Sequence, residues 1–311
     1  MAVFAGLTQQ VFDAYAQEKW ASNVYNLPRM RGKDLMLALC DAVQSHLREE
    51  LEGLDRAASD EVPNISNHKR VDAQWVYWFR DKAARDALAS FLEKTPLDQA
   101  IIFNIAPQDK HATLAVVLRQ HEVWIGLRVA AGAAVDRRNL AVAMGKQWQR
   151  ENFVALLGDI PEGATSGMEG ALVPAHEESV ASLERLVHDL GDKERAWQLG
   201  HAITAEDAIG LGVELADHIA RWLGALAPVY RYVAWTRDND HIDVTRQLHE
   251  EKIQKRKQAS GYNVGDKVRI VSGLFSGKTG IVQDIDSRAQ VRVRVGKMSV
   301  VVPGTDLTPA A

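Results

Sequence analysis

The chain has one cysteine, Cys40, in 311 residues. A lone thiol closes no internal disulfide and makes no Cys-x-x-Cys pair, which points to a reducing, cytoplasmic setting and not to a disulfide scaffold. No stretch approaches the roughly 18 consecutive apolar residues of a membrane span, and Met1 to Gln17 lack the basic start and apolar run of a signal peptide. No membrane partner is therefore expected. The ten histidines include no His-x-x-x-His pair, the spacing that sets two imidazoles on one helical face. Nor is there a Gly-x-Ser-x-Gly elbow, a phosphate-binding P-loop or a Gly-x-Gly-x-x-Gly turn. These absences leave no metal site, no cofactor and no catalytic residue to expect, and they lean against an enzyme.

What is present is a globular composition, 46% hydrophobic and 7% aromatic, which excludes a disordered chain and a collagen-like repeat. A chain of this length is expected to hold about two domains. The net charge of −4 is unevenly divided: residues 246–311 carry 12 Lys+Arg against 6 Asp+Glu, and residues 1–245 carry 25 against 35. An acidic body thus bears a basic tail, and a polyanionic partner belongs with the tail.

Along the body the pattern reads as α+β, with N-terminal helices, a mostly antiparallel sheet and a helical middle segment before a small C-terminal β-barrel. Leu35, Leu39, Val43, Leu47 and Leu51 recur every four residues, predicting a helix from about Gly32 to Glu52. Leu7, Val11 and Tyr15 give a shorter helical stripe, Asn26-Leu27-Pro28 a break, and residues 53–67 a loop. Trp75 to Phe79, Ile101 to Ile105, Thr113 to Leu118 and Val123 to Val129 read as strands. The short links between the last three make them antiparallel neighbours. Helices are expected over residues 83–92 and 136–149, and Gly158 to Pro174 reads as a linker. Thr204-Ala205-Glu206-Asp207 has the form of a helix start. From Leu211 to Val233 the apolar residues step by three and four, a long packing face interrupted at Pro228. Residues 1–160, 175–258 and 261–311 are the expected divisions.

The tail is different. Val268 and Ile270 alternate with Lys267 and Arg269, then Gly273, Gly277 and Gly280 punctuate a turn, and Val291, Val293 and Val295 alternate with Arg292 and Arg294. With Val300 to Val302 as a last strand, so short a set buries an apolar face only by curling on itself. Gly265-Asp266, Val268, Gly273, Phe275, Gly277, Gly280 and Val282, followed by Asp284-Ile285-Asp286, closely resemble the KOW module, the SH3-like barrel found at the C-terminus of NusG-type transcription elongation factors and in ribosomal proteins. The resemblance covers residues 262–309 and implies docking to RNA, a ribosomal protein or transcription machinery. It also implies a partner-binding loop at Phe275, with Leu274 and Lys278 beside it. The polymerase-binding domain that precedes the barrel in NusG-like factors has no counterpart in residues 1–245.

The polar phase of the tail strands, Lys267, Arg269, Arg292, Arg294 and Lys297, together with Lys255, Arg256 and Lys257 of the charged segment before them, forms the candidate nucleic-acid strip. In the body, Trp75, Tyr77, Trp78, Phe79, Trp124 and Trp148 read as core, with a base-stacking platform as the alternative. Asn67 to Arg70 and Asp136 to Asn139 read as solvated turns, with ligand contact as the alternative. His176-Glu177-Glu178 reads as a solvated loop and Cys40 as a small buried hydrophobe. Two functions follow: an adaptor whose body engages a protein or itself while the KOW module engages RNA or ribonucleoprotein, or a ligand-binding or enzymatic body localised by that module.

Overall fold

Trp75 to Phe79 forms the strand that its β-branched and aromatic density predicts, and six others join it in the body. The computed structural model describes residues 4–92, 106–243, 261–286 and 290–310, and the chain divides into two units, Met1–Ile242 and Asp243–Ala311. In the first, strands β1 (Leu54–Ala58), β2 (Gln74–Arg80), β3 (Ala112–Leu118), β4 (Glu122–Val129), β5 (Thr165–Met168), β6 (Ala171–Pro174) and β7 (Trp197–Thr204) make one sheet in the order 1-2-3-4-7-5-6. Every neighbouring pair is antiparallel. The helices are α1 (Gln9–Asp13), α2 (Asn26–His46), α3 (Lys82–Leu92), α4 (Pro107–Lys110), α5 (Ala134–Met144), α6 (Gln147–Gly158), α7 (Val180–Asp189), α8 (Ala205–Leu211) and α9 (Leu215–Val233).

Alternation along the strands sorts the core into two faces. Val76, Trp78, Leu114, Val116, Ile125, Leu127 and Leu199 bury one face under the apolar sides of α2 and α9. Ala73, Tyr77, Phe79, Ala115, Val117 and Trp124 make a smaller cluster on the other. The long face read from Leu211 onward is largely buried as expected, and α9 carries Pro228 inside it. The helix begins later than expected, because Gly212 adopts a positive φ of 54° and ends α8 first. In contrast, α2 begins upstream of Gly32 and takes Pro28 into its first turn, where the missing N–H leaves no bond unmade.

The middle of the chain departs from the expected helical segment. Residues 165–204 contribute β5, β6 and β7, and β7 inserts beside β4, so the sheet runs through the expected linker and through the middle segment. β1 likewise occupies part of the expected loop over residues 53–67. The expected helix over 136–149 is two helices, α5 and α6, meeting at residues 145–146. The strand expected at Ile101 to Ile105 lies outside the described residues.

The second unit is a five-stranded antiparallel meander of β8 (Lys267–Ile270), β9 (Thr279–Ile285), β10 (Gln290–Val295), β11 (Met298–Pro303) and β12 (Leu307–Pro309), in the order 11-10-9-8-12. Val268, Ile270, Val282, Ile285, Val291, Val293 and Leu307 form its buried cluster. Among the described residues β11 and β12 are the two edges, so the hydrogen-bonded ladder is open.

Candidate functional site

On the second face of the body sheet, near β1 and β2, the surface opens into a cleft of about 810 Å3. Trp75 and Tyr77 line it from β2, Asn67, His68, Arg70 and Asp72 from the loop before that strand, and Gln108 and Asp109 from α4. The sequence treated the aromatic run and the Asn67 to Arg70 segment as separate features; the fold brings them to one place. Trp75 is held where it is by Arg128 of β4, whose guanidinium lies 5.4 Å from the ring centroid. Arg128 is fixed in turn by the Asp109 carboxylate at 3.3 Å and Glu169 at 3.2 Å.

The loop is stitched by its own polar side chains. Asn64 N–H donates to Asn67 Oδ1 at 2.8 Å, Asn67 N–H donates to Asn64 Oδ1 at 3.1 Å, and Asn67 Nδ2 donates to the Val62 carbonyl at 2.7 Å. Asp60 accepts from Asn64 Nδ2 at 2.6 Å. The reversal puts His68 and Lys69 at φ of 53° and 59°, consecutive left-handed residues without a glycine, at a cost of about 1–2 kcal/mol each. Beyond them Val71 is buried in the helix-side cluster and Ala73 in the smaller one, while Arg70 and Asp72 are exposed.

Of the remaining aromatics of the platform alternative, Trp78, Trp124 and Phe79 are buried, and Trp148 is not. Trp78 is fully buried under the helices. Trp124 lies across Gly126 and its ladder partner Gly200: a methyl group built on Gly126 would come within 2.2 Å of the indole. Trp148 is exposed, away from the cleft residues in sequence and on α6. Phe79 is buried, with the Arg85 guanidinium 4.7 Å from its ring and the His111 ring stacked at 5.8 Å.

Asp136 to Asn139 is not a solvated turn, although Arg138 is exposed. Asp136, Arg137 and Asn139 are buried clamps. Asp136 pairs with Arg80 and accepts from Ala112 N–H at 2.7 Å and Trp235 N–H at 2.9 Å. Arg137 donates to the carbonyls of Leu190 and Arg195, both at 2.9 Å, and Asn139 donates to the Asn239 carbonyl at 2.9 Å. His176 is exposed, while Glu178 accepts from Ser166 Oγ at 3.0 Å. Among the described residues no group of three His, Cys, Asp or Glu side chains converges as a metal site. Cys40 is fully buried, and burial pushes its thiol up to about 12.

In the second unit, the ladder places both Lys267 and Arg294 opposite Ile281, one on each side of it. Arg269 lies two residues from Lys267 on β8, and Arg292 lies opposite Asp284. All four basic side chains and Lys297 are exposed. Lys255, Arg256 and Lys257 lie outside the described residues. In the turn, Phe275 packs against the buried cluster, while Leu274 beside it is 99% exposed and Lys278 is exposed too. The apolar side chain exposed at the turn is thus Leu274, and Phe275 supports the turn from within. The sequence signal for this was slight: one leucine beside one phenylalanine between two glycines says that something protrudes but not which. Among known proteins, no family model and no curated protein matches the chain.

Among the described residues no helix is long and apolar enough to cross a membrane.

Proposed function

We propose that this chain is a non-enzymatic adaptor whose C-terminal unit is a KOW module docking on RNA, alone or within ribonucleoprotein or transcription machinery, while the acidic body engages a protein partner or a second copy. The observation that carries this reading is the exposed basic row in which Arg294 and Lys267 flank Ile281, with Arg269 and Arg292 one step along their strands. Guanidinium groups in phase on one strand meet phosphate oxygens bidentately. The antiparallel meander, whose buried aliphatic residues alternate with exposed basic ones on β8 and β10, supports this reading.

The test is the salt dependence of binding to a single-stranded RNA oligomer by the full chain. Each phosphate neutralised releases counterions, so log affinity falls with log salt at roughly 0.7 per contact. Replacing Arg292 and Arg294 by glutamine flattens that slope by about one to two units and leaves the fold intact, since exposed substitutions usually cost within about 0.5 kcal/mol. A slope that the double substitution leaves unchanged, or no RNA binding, overturns the RNA reading.

A further inference from the structure

The body cleft carries two charges of opposite sign that the protein leaves unmatched. Asp109 faces Arg128, and Asp60 is met by an amide and a hydroxyl donor. Arg70 and Asp72 line the same cleft, both exposed, and neither makes a side-chain hydrogen bond or ion pair with a described residue. They make no ion pair with each other, so one cation and one anion in the same cleft stay open to a small ligand bearing both charges. The loop that presents them is fixed by its asparagine exchange, so its ordering cost is met before binding. The indole of Trp75, pinned by Arg128, lines the cleft with them as a flat apolar surface.

We propose that this cleft binds a free α-amino acid with a flat side chain. The ligand's carboxylate meets Arg70, its ammonium meets Asp72, and its side chain lies on Trp75. The volume of about 810 Å3 falls within the range of small-molecule sites, roughly 300–1,000 Å3. A nucleotide is the poorer fit: Asp60 and Asp72 outnumber Arg70 once Asp109 is set against Arg128, and a phosphate entering there is repelled. The proposal is independent of the RNA reading, because it uses no residue of the second unit.

Isothermal titration calorimetry of the full chain tests it with four probes: L-phenylalanine, phenethylamine, 3-phenylpropionate and AMP. Phenylalanine is expected to saturate, and the two fragments, each lacking one charge, to bind about tenfold more weakly or worse, as a lost charged hydrogen bond implies. Arg70→Gln weakens phenylalanine about tenfold and leaves phenethylamine unchanged. Asp72→Asn weakens phenylalanine likewise and leaves 3-phenylpropionate unchanged. Both residues are exposed, so an unchanged melting temperature confirms that each variant is folded. Phenethylamine binding as tightly as phenylalanine, AMP binding more tightly, or no saturable heat with phenylalanine overturns the proposal.

Discussion

His111 shows how one buried residue sets a pH dependence. It lies 6% exposed against the ring of Phe79. Burial, and after it the positive charge of Arg80, lowers its pKa to about 4. In the unfolded chain the ring titrates near 6.5. Below that pH the unfolded state therefore binds more protons than the folded one, so stability falls as pH drops from about 6.5 towards 4. Between pH 7 and pH 5 the loss attributable to this one group is about 2 kcal/mol. His111→Gln should remove most of that difference between urea midpoints measured at the two pH values. An equally steep loss in the variant would assign the acid sensitivity to other groups. No feature of the sequence around Lys110-His111-Ala112 foretold the shift, because its causes, Phe79 and Arg80, arrive from another strand.

Elements are joined in the body by charge as well as by apolar packing. Asp136 at the start of α5 takes the Arg80 guanidinium from the end of β2, the first amide of β3 and the Trp235 amide just after α9. Arg80 and Asp136 are 3% and 1% exposed. Removing one partner of such a pair strands a buried charge, at a cost of about 3–5 kcal/mol. Asp136→Ala is expected to lower the unfolding free energy by that amount in denaturant titration, and Asp41→Ala, whose partner Arg56 is a quarter exposed, by about 1 kcal/mol at most. Equal costs for the two would show that Arg80 finds water when its partner is lost. The same contrast explains what was legible. Strands β2, β3 and β4 were read from their apolar density, and α9 from its stripe. The strand β7 was read as part of a helical segment because Gly200 and Ala202 dilute its alternation. Those small residues are there for Trp124, whose indole fills the space above the Gly126 and Gly200 pair, and a requirement imposed by a residue 76 positions away leaves no local pattern. The cleft was legible in pieces for the same reason, since Arg70 and Trp75 are near in sequence but Gln108 and Asp109 are not.

At the scale of the whole molecule, the two units differ in what holds them. The body buries a large apolar cluster between sheet and helices, whereas the second unit relies on seven buried side chains, all aliphatic, with Tyr262, Phe275, Val295, Val300 and Val302 packed around them. A core that small is marginal unless its turns are preset. Here they are: Gly273, Gly277 and Gly296 take positive φ where the strands reverse, and Tyr262 Oη donates to the Leu307 carbonyl, tying the start of the unit to its last strand. Every strand pair within it is antiparallel and, apart from the pairing of β8 with β12, formed by strands consecutive in the chain, which keeps loop-closure entropy low. Residues 260–311 are therefore expected to fold as an isolated fragment, giving dispersed amide resonances and a cooperative thermal transition. Phe275→Ala, which removes a ring packed against this small cluster, should lower that transition sharply, while Leu274→Ala, which removes an exposed side chain, should leave it in place and affect only partner capture. A fragment with collapsed amide dispersion would show that the unit borrows its stability from the rest of the chain, and a Leu274→Ala loss as large as that of Phe275→Ala would show that the exposed leucine is part of the core.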